Sequence, residues 1–182
     1  MKRVLVSTVF MDRSNTSCYI VPFCVWTKTF SSSSLFNIST GVITNNDTYS
    51  SFSACEHVSK IEVDSKLKPV ITSMPTLDMI YLAKWTTTSL LQYDAIVHFD
   101  LDIDFFNMYP FRQFETSIDA FLTSDTKITG SADWACVLNT GAMMFRPSRE
   151  KYERGLALLR TKNFDPKLGF NKTGSPIDVW KR

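Results

Sequence analysis

Three carboxylates alternate in His98-Phe99-Asp100-Leu101-Asp102-Ile103-Asp104, at the end of an apolar, β-branched run that begins at Ala95. Alternation puts residues of one parity on one face of a strand, so Asp100 and Asp102 can converge on a single hard cation. Oxygen ligands suit Mn2+ or Mg2+ and leave coordination positions open for phosphate oxygens. The pattern therefore fits a divalent ion that neutralises a bound diphosphate. The competing reading is a strand end whose acids face water and discourage edge pairing. Two acids one residue apart are weak evidence alone, so position and neighbours must decide. Asp104 reads as solvated, and His98, which shares the parity of Asp100, as packed behind it rather than as a ligand.

The chain that must position these acids has 182 residues and a formal charge of +2, enough for one domain with a real core. It holds no run of about eighteen apolar residues that could span a bilayer, and no Lys/Arg tract that would mark nucleic acid or anionic lipid as a partner. The start, Met1 to Phe10, is basic, but its apolar stretch is short and interrupted by Ser7 and Thr8, so it reads as a strand rather than a secretory signal. Cys18, Cys24, Cys55 and Cys136 show no Cys-x-x-Cys spacing. Neither a zinc site nor a disulfide framework is indicated, and reduced thiols in a cytoplasmic protein are the expectation. Asn-x-Ser/Thr triplets at Asn15, Asn37, Asn46 and Asn171 carry little weight in a chain so rich in Ser and Thr.

Periodicity predicts strands over residues 3–9, 35–43, 57–63, 95–99 and 127–131, and helices over 19–30, 76–91, 117–122 and 148–160. Pro22 falls near the first turn of its helix. The clearest helix, 76–91, carries Leu77, Ile80, Tyr81, Lys84 and Thr88 at helical spacings. Residues 105–114 read as irregular and aromatic. Phe105, Phe106, Tyr109 and Phe111 either stack on a sugar or fill the core, with the core favoured for at least three of them. The apolar segment 136–147 is punctuated by Asn139-Thr140-Gly141. Strands alternating with helices imply an α/β sheet covered on both faces, where ligands gather at the carboxyl ends of strands. The carboxylates stand at such an end.

A lysine-bearing helix, then Tyr93-Asp94 and a hydrophobic strand into Asp100-Leu101-Asp102, then Leu138-Asn139-Thr140-Gly141-Ala142-Met143-Met144-Phe145-Arg146-Pro147-Ser148, follow one another in the order seen in the glycogenin-like family 8 glycosyltransferases. The chain resembles that family over residues 1–160, most strongly from Lys84 to Tyr152. The resemblance implies a GT-A fold, a Rossmann-like mixed sheet flanked by helices, in a single domain over 1–182. It also implies transfer of a sugar, with retention of configuration, from a nucleotide-sugar donor, a uridine diphosphate (UDP) sugar, to a glycan or protein acceptor.

By the same resemblance Asp100 and Asp102 would hold Mn2+ (or Mg2+) against the diphosphate, and Leu101 would offer its backbone to ribose or phosphate. Lys84 would lie near the donor, where an ammonium suits phosphate or sugar oxygens. Asn139 would bond donor-sugar hydroxyls beside Thr140, and Gly141 would let the backbone come close. Asp133 resembles an acid the family directs at sugar hydroxyls, with a different local spacing. Ser7, Thr8 and Tyr19 fall where the family builds its nucleotide-base pocket. The residues themselves leave bland alternatives open: a solvated helix lysine for Lys84, a bulge or turn for Asn139 and Gly141, and a plain strand end and a core tyrosine for Ser7, Thr8 and Tyr19.

The sequence also departs from the family. An Asp-Gln pair is expected beyond the last helix, but Asp178 is followed by Val179, and no His-x-x-Gly-x-x-Lys-Pro segment is present. The segment that carries the family's third metal ligand is not found, which leaves open a truncated catalytic domain, one domain of a longer protein, a natural short variant or an inactive relative. Two other classes remain: a catalytically inactive GT-A-like module that binds nucleotide sugar or glycan, and a metal-dependent nucleotidyl- or phosphotransferase. The last would need a phosphate-cradling Gly-rich loop, and none is visible.

Overall fold

Val4, Leu5 and Val6 are all buried, as expected of a strand covered on both faces. In the computed structural model this strand, β1 (Arg3–Val9), lies inside a six-stranded sheet that also contains β2 (Asn37–Ile43), β3 (Val58–Ile61), β4 (Ala95–Phe99), β5 (Ile128–Gly130) and β6 (Ala142–Phe145). The order is β3-β2-β1-β4-β6-β5. The first four strands of that order run parallel, β6 is antiparallel to β4, and β5 is antiparallel to β6. The structure describes residues 1–10, 17–44, 49–53, 55–72, 76–100, 111–131 and 140–161, with backbone alone for 17–19, 76–78, 81 and 161.

Helices cover both faces of the mixed sheet. On one, Val4, Val6, Val42, Val97 and Met144 pack against the aromatic residues of α1 (Ser17–Ser31) and against Ile118 and Phe121 of a later helix, Phe111–Thr123. The other face presents Val9 and Ile43 to α2 (Lys68–Ile71), α3 (Thr76–Ala83), a 3₁₀ segment (Lys84–Ser89) and the last helix, Arg149–Thr161. In chain order those two later helices are α4 and α5.

Three elements depart from the sequence reading. The helix expected over 76–91 is α-helical only to Ala83 and continues as 3₁₀. Hydroxyls account for the change: Thr87, Thr88 and Ser89 donate to the carbonyls three residues back, Lys84 O, Trp85 O and Thr86 O, at 2.7, 2.7 and 2.8 Å. Three such bonds in succession favour the tighter spiral. The aromatic stretch expected to be irregular as far as residue 114 is helical from Phe111, because Phe111 and Phe114 stack on each other and lie against Phe30 of α1. Helix α1 begins two residues earlier than expected, which moves Pro22 into its second turn.

The tail of the segment 138–148 has an architectural use. Arg146 donates to Phe121 O, Leu122 O and Ser124 O at 2.9, 3.0 and 2.8 Å, so its guanidinium caps the carboxyl end of α4. Ser148 is the N-cap of α5, its hydroxyl accepting from Lys151 N at 3.3 Å. Two helix ends are thus closed from the short link that leaves β6.

The expectation of reduced thiols is corrected. Cys24 of α1 and Cys55 form a disulfide with their Cα atoms 4.9 Å apart. Their separation of 31 residues gives no local spacing to read; they meet because Phe23 packs edge-on against Phe52, which precedes Cys55. Cys136 lies outside the described residues, and for Cys18 only the backbone is described. Among the described residues no helix is long and apolar enough to cross a membrane.

A cross-link closing a loop of this length stabilises by about 3 kcal/mol, chiefly by restricting the unfolded chain. Cys24→Ser should lower the urea midpoint accordingly, and reductant should bring the parent protein to the same value. An unreduced parent chain that alkylates at all four cysteines would show that the bond does not form.

Candidate functional site

Lys84 opens the 3₁₀ segment and is 0% exposed. The segment cannot roll outward to free it. The indole N–H of Trp85 donates to Tyr152 O at 3.3 Å, and Thr88 O accepts from Ser148 N at 2.9 Å. Gly155 lets α5 come down onto the Trp85 ring, which a side chain there would meet. A buried ammonium must be paired and hydrogen-bonded. Lys84 Nζ donates to Asp100 Oδ1 at 2.6 Å and to Thr140 O at 3.2 Å.

Asp100 directly follows β4. Its N–H donates to Gly141 O at 2.7 Å, which latches the exit of β4 to the entry of β6 and brings Thr140 under the ammonium. Behind the carboxylate lies His98, fully buried, with Nε2 3.4 Å from Asp100 Oδ1 and Nδ1 3.2 Å from the hydroxyl of Ser7. Ser7 and His98 are partners in the β1–β4 register, so they share a face.

Burial pushes the His98 imidazole down to about 4; the bond to Asp100 opposes that shift and the Lys84 charge adds to it. A neutral ring satisfies both neighbours in one tautomer: Nε2–H donates to Asp100, and Nδ1 accepts from the Ser7 hydroxyl. For Asp100 burial alone would raise the carboxyl. The hydrogen bond from His98 and the charge of Lys84 outweigh it and hold the group below the ordinary carboxylate range. The Asp100 side chain keeps 35% of its surface. Every polar contact that the described residues make with its carboxylate falls on Oδ1, which leaves Oδ2 for an incoming group.

Ser7, Lys84, Asp100, Thr140 and Gly141, which the sequence pointed to separately, therefore meet at the carboxyl end of β1 and β4. Lys84 is an internal counter-ion, not a solvated lysine. Thr8 is buried at the same end of the sheet, on the opposite face from Ser7, and its hydroxyl has no partner among the described residues. Thr44, just past β2, has a second such hydroxyl. Leaving a hydroxyl unpaired in the interior costs about 1–3 kcal/mol, so both are places where a ligand's polar atoms would be rewarded. Tyr19 lies in α1, described by its backbone alone. Leu101, Asp102, Asp133 and Asn139 lie outside the described residues, as do Asp104, Phe105, Phe106, Tyr109 and Asp178.

Sequence reasoning did not find Thr44, the Gly155–Trp85 contact or the Ser7–His98 link. The last needs the strand register, which no local pattern encodes. A cavity of about 560 Å3 opens on the α1/α4 side and is lined mainly by Trp26, Phe30, Phe99, Phe111, Phe114 and Met144. It abuts Phe99, and none of its described lining residues is charged, whereas the polar cluster lies on the other face.

As to a metal, among the described residues no group of three or more His, Cys, Asp and Glu side chains gathers to hold one. Asp100 fits a hard cation through Oδ2, with the remaining ligands to be supplied from elsewhere.

No family model and no curated protein matches the chain. Among solved structures it is similar to the galactosyltransferase LgtC. An active-site variant of that enzyme aligns with a TM-score of 0.52 and 12% identity over 82% of this chain and 59% of the other. LgtC in complex with donor and acceptor sugar analogues aligns at 0.48 and 13%, over 78% and 57%. The chain thus spans less than three-fifths of LgtC. At such identity what is shared is the fold, and the mixed sheet flanked by helices is the GT-A glycosyltransferase fold expected from the sequence.

The imidazole predicts a pH dependence. The folded state resists a proton that the unfolded chain accepts at its ordinary 6.5. Stability from this group is complete above that pH and is lost as pH falls toward about 4, by about 3 kcal/mol in all. Asp100, shifted below 3.8, loses its contribution only at lower pH. Urea midpoints at pH 7 and pH 4.5 should differ clearly more in the parent than in His98→Gln. Equal differences would mean that the imidazole is not the group responsible.

Proposed function

We propose that the chain is a metal-dependent glycosyltransferase that moves a sugar, with retention, from a UDP-sugar donor to a glycan or protein acceptor. The observation that carries this reading is the pairing of a buried Lys84 ammonium with Asp100, whose second carboxylate oxygen stays open, at the carboxyl end of a GT-A sheet. That is where ligands bind in open α/β sheets. An ammonium fixed behind a carboxylate suits a ligand that brings both a cation and anionic oxygens.

In this reading Asp100, through Oδ2, and Asp102 would hold Mn2+ or Mg2+, with further oxygen ligands to come from the diphosphate, and Leu101 would offer its backbone to ribose or phosphate. The ion would stabilise the negative charge that develops on the departing diphosphate. Thr8 and Thr44, whose hydroxyls have no partner among the described residues, would face the nucleoside together with Tyr19, while Ser7, expected in the same pocket, spends its hydroxyl on His98 instead. Asn139, Thr140 and Gly141 would face the donor sugar, and Asp133 would bond its hydroxyls. The glycogenin-like family 8 assignment rests on the order of Lys84, Asp100-Leu101-Asp102 and Asn139-Thr140-Gly141. The Cys24–Cys55 bond supports an oxidising compartment over the cytoplasm expected from cysteine spacing.

The test is calorimetric titration with UDP, with and without Mn2+. Asp100→Ala is a poor variant, because removing one partner of a buried ion pair costs about 3–5 kcal/mol and strands Lys84. Asp102→Ala, which leaves the pair intact, and Asp100→Asn, which keeps an oxygen acceptor for Lys84, are preferable. UDP should bind only with Mn2+, and each variant should weaken it at least about tenfold, or about 1.4 kcal/mol. Sugar release or transfer from UDP-sugars should follow. Metal-dependent binding with no turnover across donors would make the chain a nucleotide-sugar-binding module, and absence of binding would overturn the donor site.

A further inference from the structure

We propose that His98 is a positioning residue for the metal site. Its imidazole, anchored by Ser7, pins Asp100 Oδ1 inward, so that Oδ2 is presented to the cation in one fixed orientation. The inference rests on the reading of Asp100 as a metal ligand. It adds a role for two residues that need never touch metal or substrate.

The geometry carries the argument. A carboxylate rotates easily about its last torsion, whose energy profile is broad and roughly two-fold. One donor on one oxygen leaves that rotation loosely restrained. Here two donors from different elements converge on the same atom: Lys84 Nζ at 2.6 Å from the 3₁₀ segment and His98 Nε2 at 3.4 Å from β4. Their convergence selects one oxygen for the interior and the other for the open side. The imidazole could tilt away from Asp100, except that its far nitrogen is 3.2 Å from the Ser7 hydroxyl. Ser7 and His98 are both 0% exposed and paired in register across β1 and β4, so the Ser7–His98 end of the chain is fixed by the sheet itself.

Packing alone does not call for this arrangement. Apart from Ser7 and Asp100, the neighbours of His98 on its face of the sheet include the apolar Leu5, Ile96, Met143 and Phe145, against which an aromatic hydrocarbon would also pack. A buried imidazole held by a serine on one side and aimed at a half-exposed carboxylate on the other supplies direction, which phenylalanine cannot. Groups that orient metal ligands through hydrogen bonds typically contribute about 10- to 100-fold to metal affinity.

The experiment follows the free-ion EPR signal of Mn2+ titrated with the parent protein, His98→Phe, His98→Gln, Ser7→Ala and Asp100→Asn, with and without UDP. A melting curve is recorded for each variant. His98→Phe should bind Mn2+ about 10- to 100-fold more weakly while melting no lower than the parent. His98→Gln, which restores an N–H donor, should recover most of the affinity. Ser7→Ala, which leaves ring and carboxylate in place, should fall between them, and it decides the matter if His98→Phe does not fold.

A parent that binds Mn2+ and loses it in Asp100→Asn, while His98→Phe and Ser7→Ala bind normally, overturns the positioning role and leaves the metal site standing. Unchanged affinity with lowered melting in the His98 variants would reduce the residue to a structural part and overturn the proposal in the same way. A parent that binds no Mn2+ under either condition overturns the metal site itself and this inference with it.

Discussion

An ammonium with no access to water sets the terms for this part of the molecule. Lys84 is fully buried, and an isolated charge in that position would either give up its proton or unfold its surroundings. It is not isolated, because Asp100 and the carbonyl of Thr140 are brought to it. Those two partners lie at the exit of β4 and just before β6, strands that the chain makes more than forty residues apart. The bond from Asp100 N to Gly141 O closes the same junction through the backbone. The sheet's switch from parallel to antiparallel pairing therefore happens at the charged cluster, and the strand order around it makes the site possible.

The helical side of the cluster is held as firmly by uncharged groups. A run of threonines and a serine tightens the chain after Ala83, which makes Lys84 the first residue of a 3₁₀ segment instead of the middle of a long amphipathic helix. In a continued α-helix the residues on either side of Lys84 would follow a 100° step and Trp85 would not meet α5 as it does. The close approach at Gly155, the indole bond to Tyr152 O and the Thr88–Ser148 bond fix that contact. Residues that look decorative in composition, hydroxyls and one glycine, decide where the charge goes.

How much of this was legible in the sequence depends on whether the signal is local. β1 and β4 follow from short, mostly apolar runs rich in β-branched residues, interrupted only by Ser7, Thr8 and His98, and the carboxylates at the end of β4 stand out because such a run should not end in acids. Lys84, Asp100, Thr140 and Gly141 could be named from their order along the chain, but not brought together, since their contact depends on strand register and on a 3₁₀ turn that helical periodicity conceals. The Ser7–His98 link and the Cys24–Cys55 bond were illegible for the same reason: each joins residues far apart in sequence through packing that no window of ten or fifteen residues contains. Phe111 and Phe114 misled in the opposite direction, because a cluster of aromatics reads as irregular until α1 offers Phe30 as a surface to pack on.

The cluster also constrains what kind of ligand the open oxygen of Asp100 can take. A solitary carboxylate attracts any cation, but this one already shares its charge with Lys84 and accepts from His98, so the charge of these three side chains sums to near zero. A bare divalent ion gains less here than at an unpaired acid, and a bare anion gains less than at an unpaired lysine. A ligand that brings both charges changes the balance, since its cation meets Oδ2 while its anionic oxygens meet the field of an ammonium that cannot swing away to quench them. Metal complexed to a diphosphate has that form. The same neutrality lets the fold tolerate the cluster with the ligand absent: Asp100 keeps Lys84 satisfied whether or not anything occupies its outer oxygen, so the site can be emptied and refilled without exposing the protein to a buried, unpaired charge.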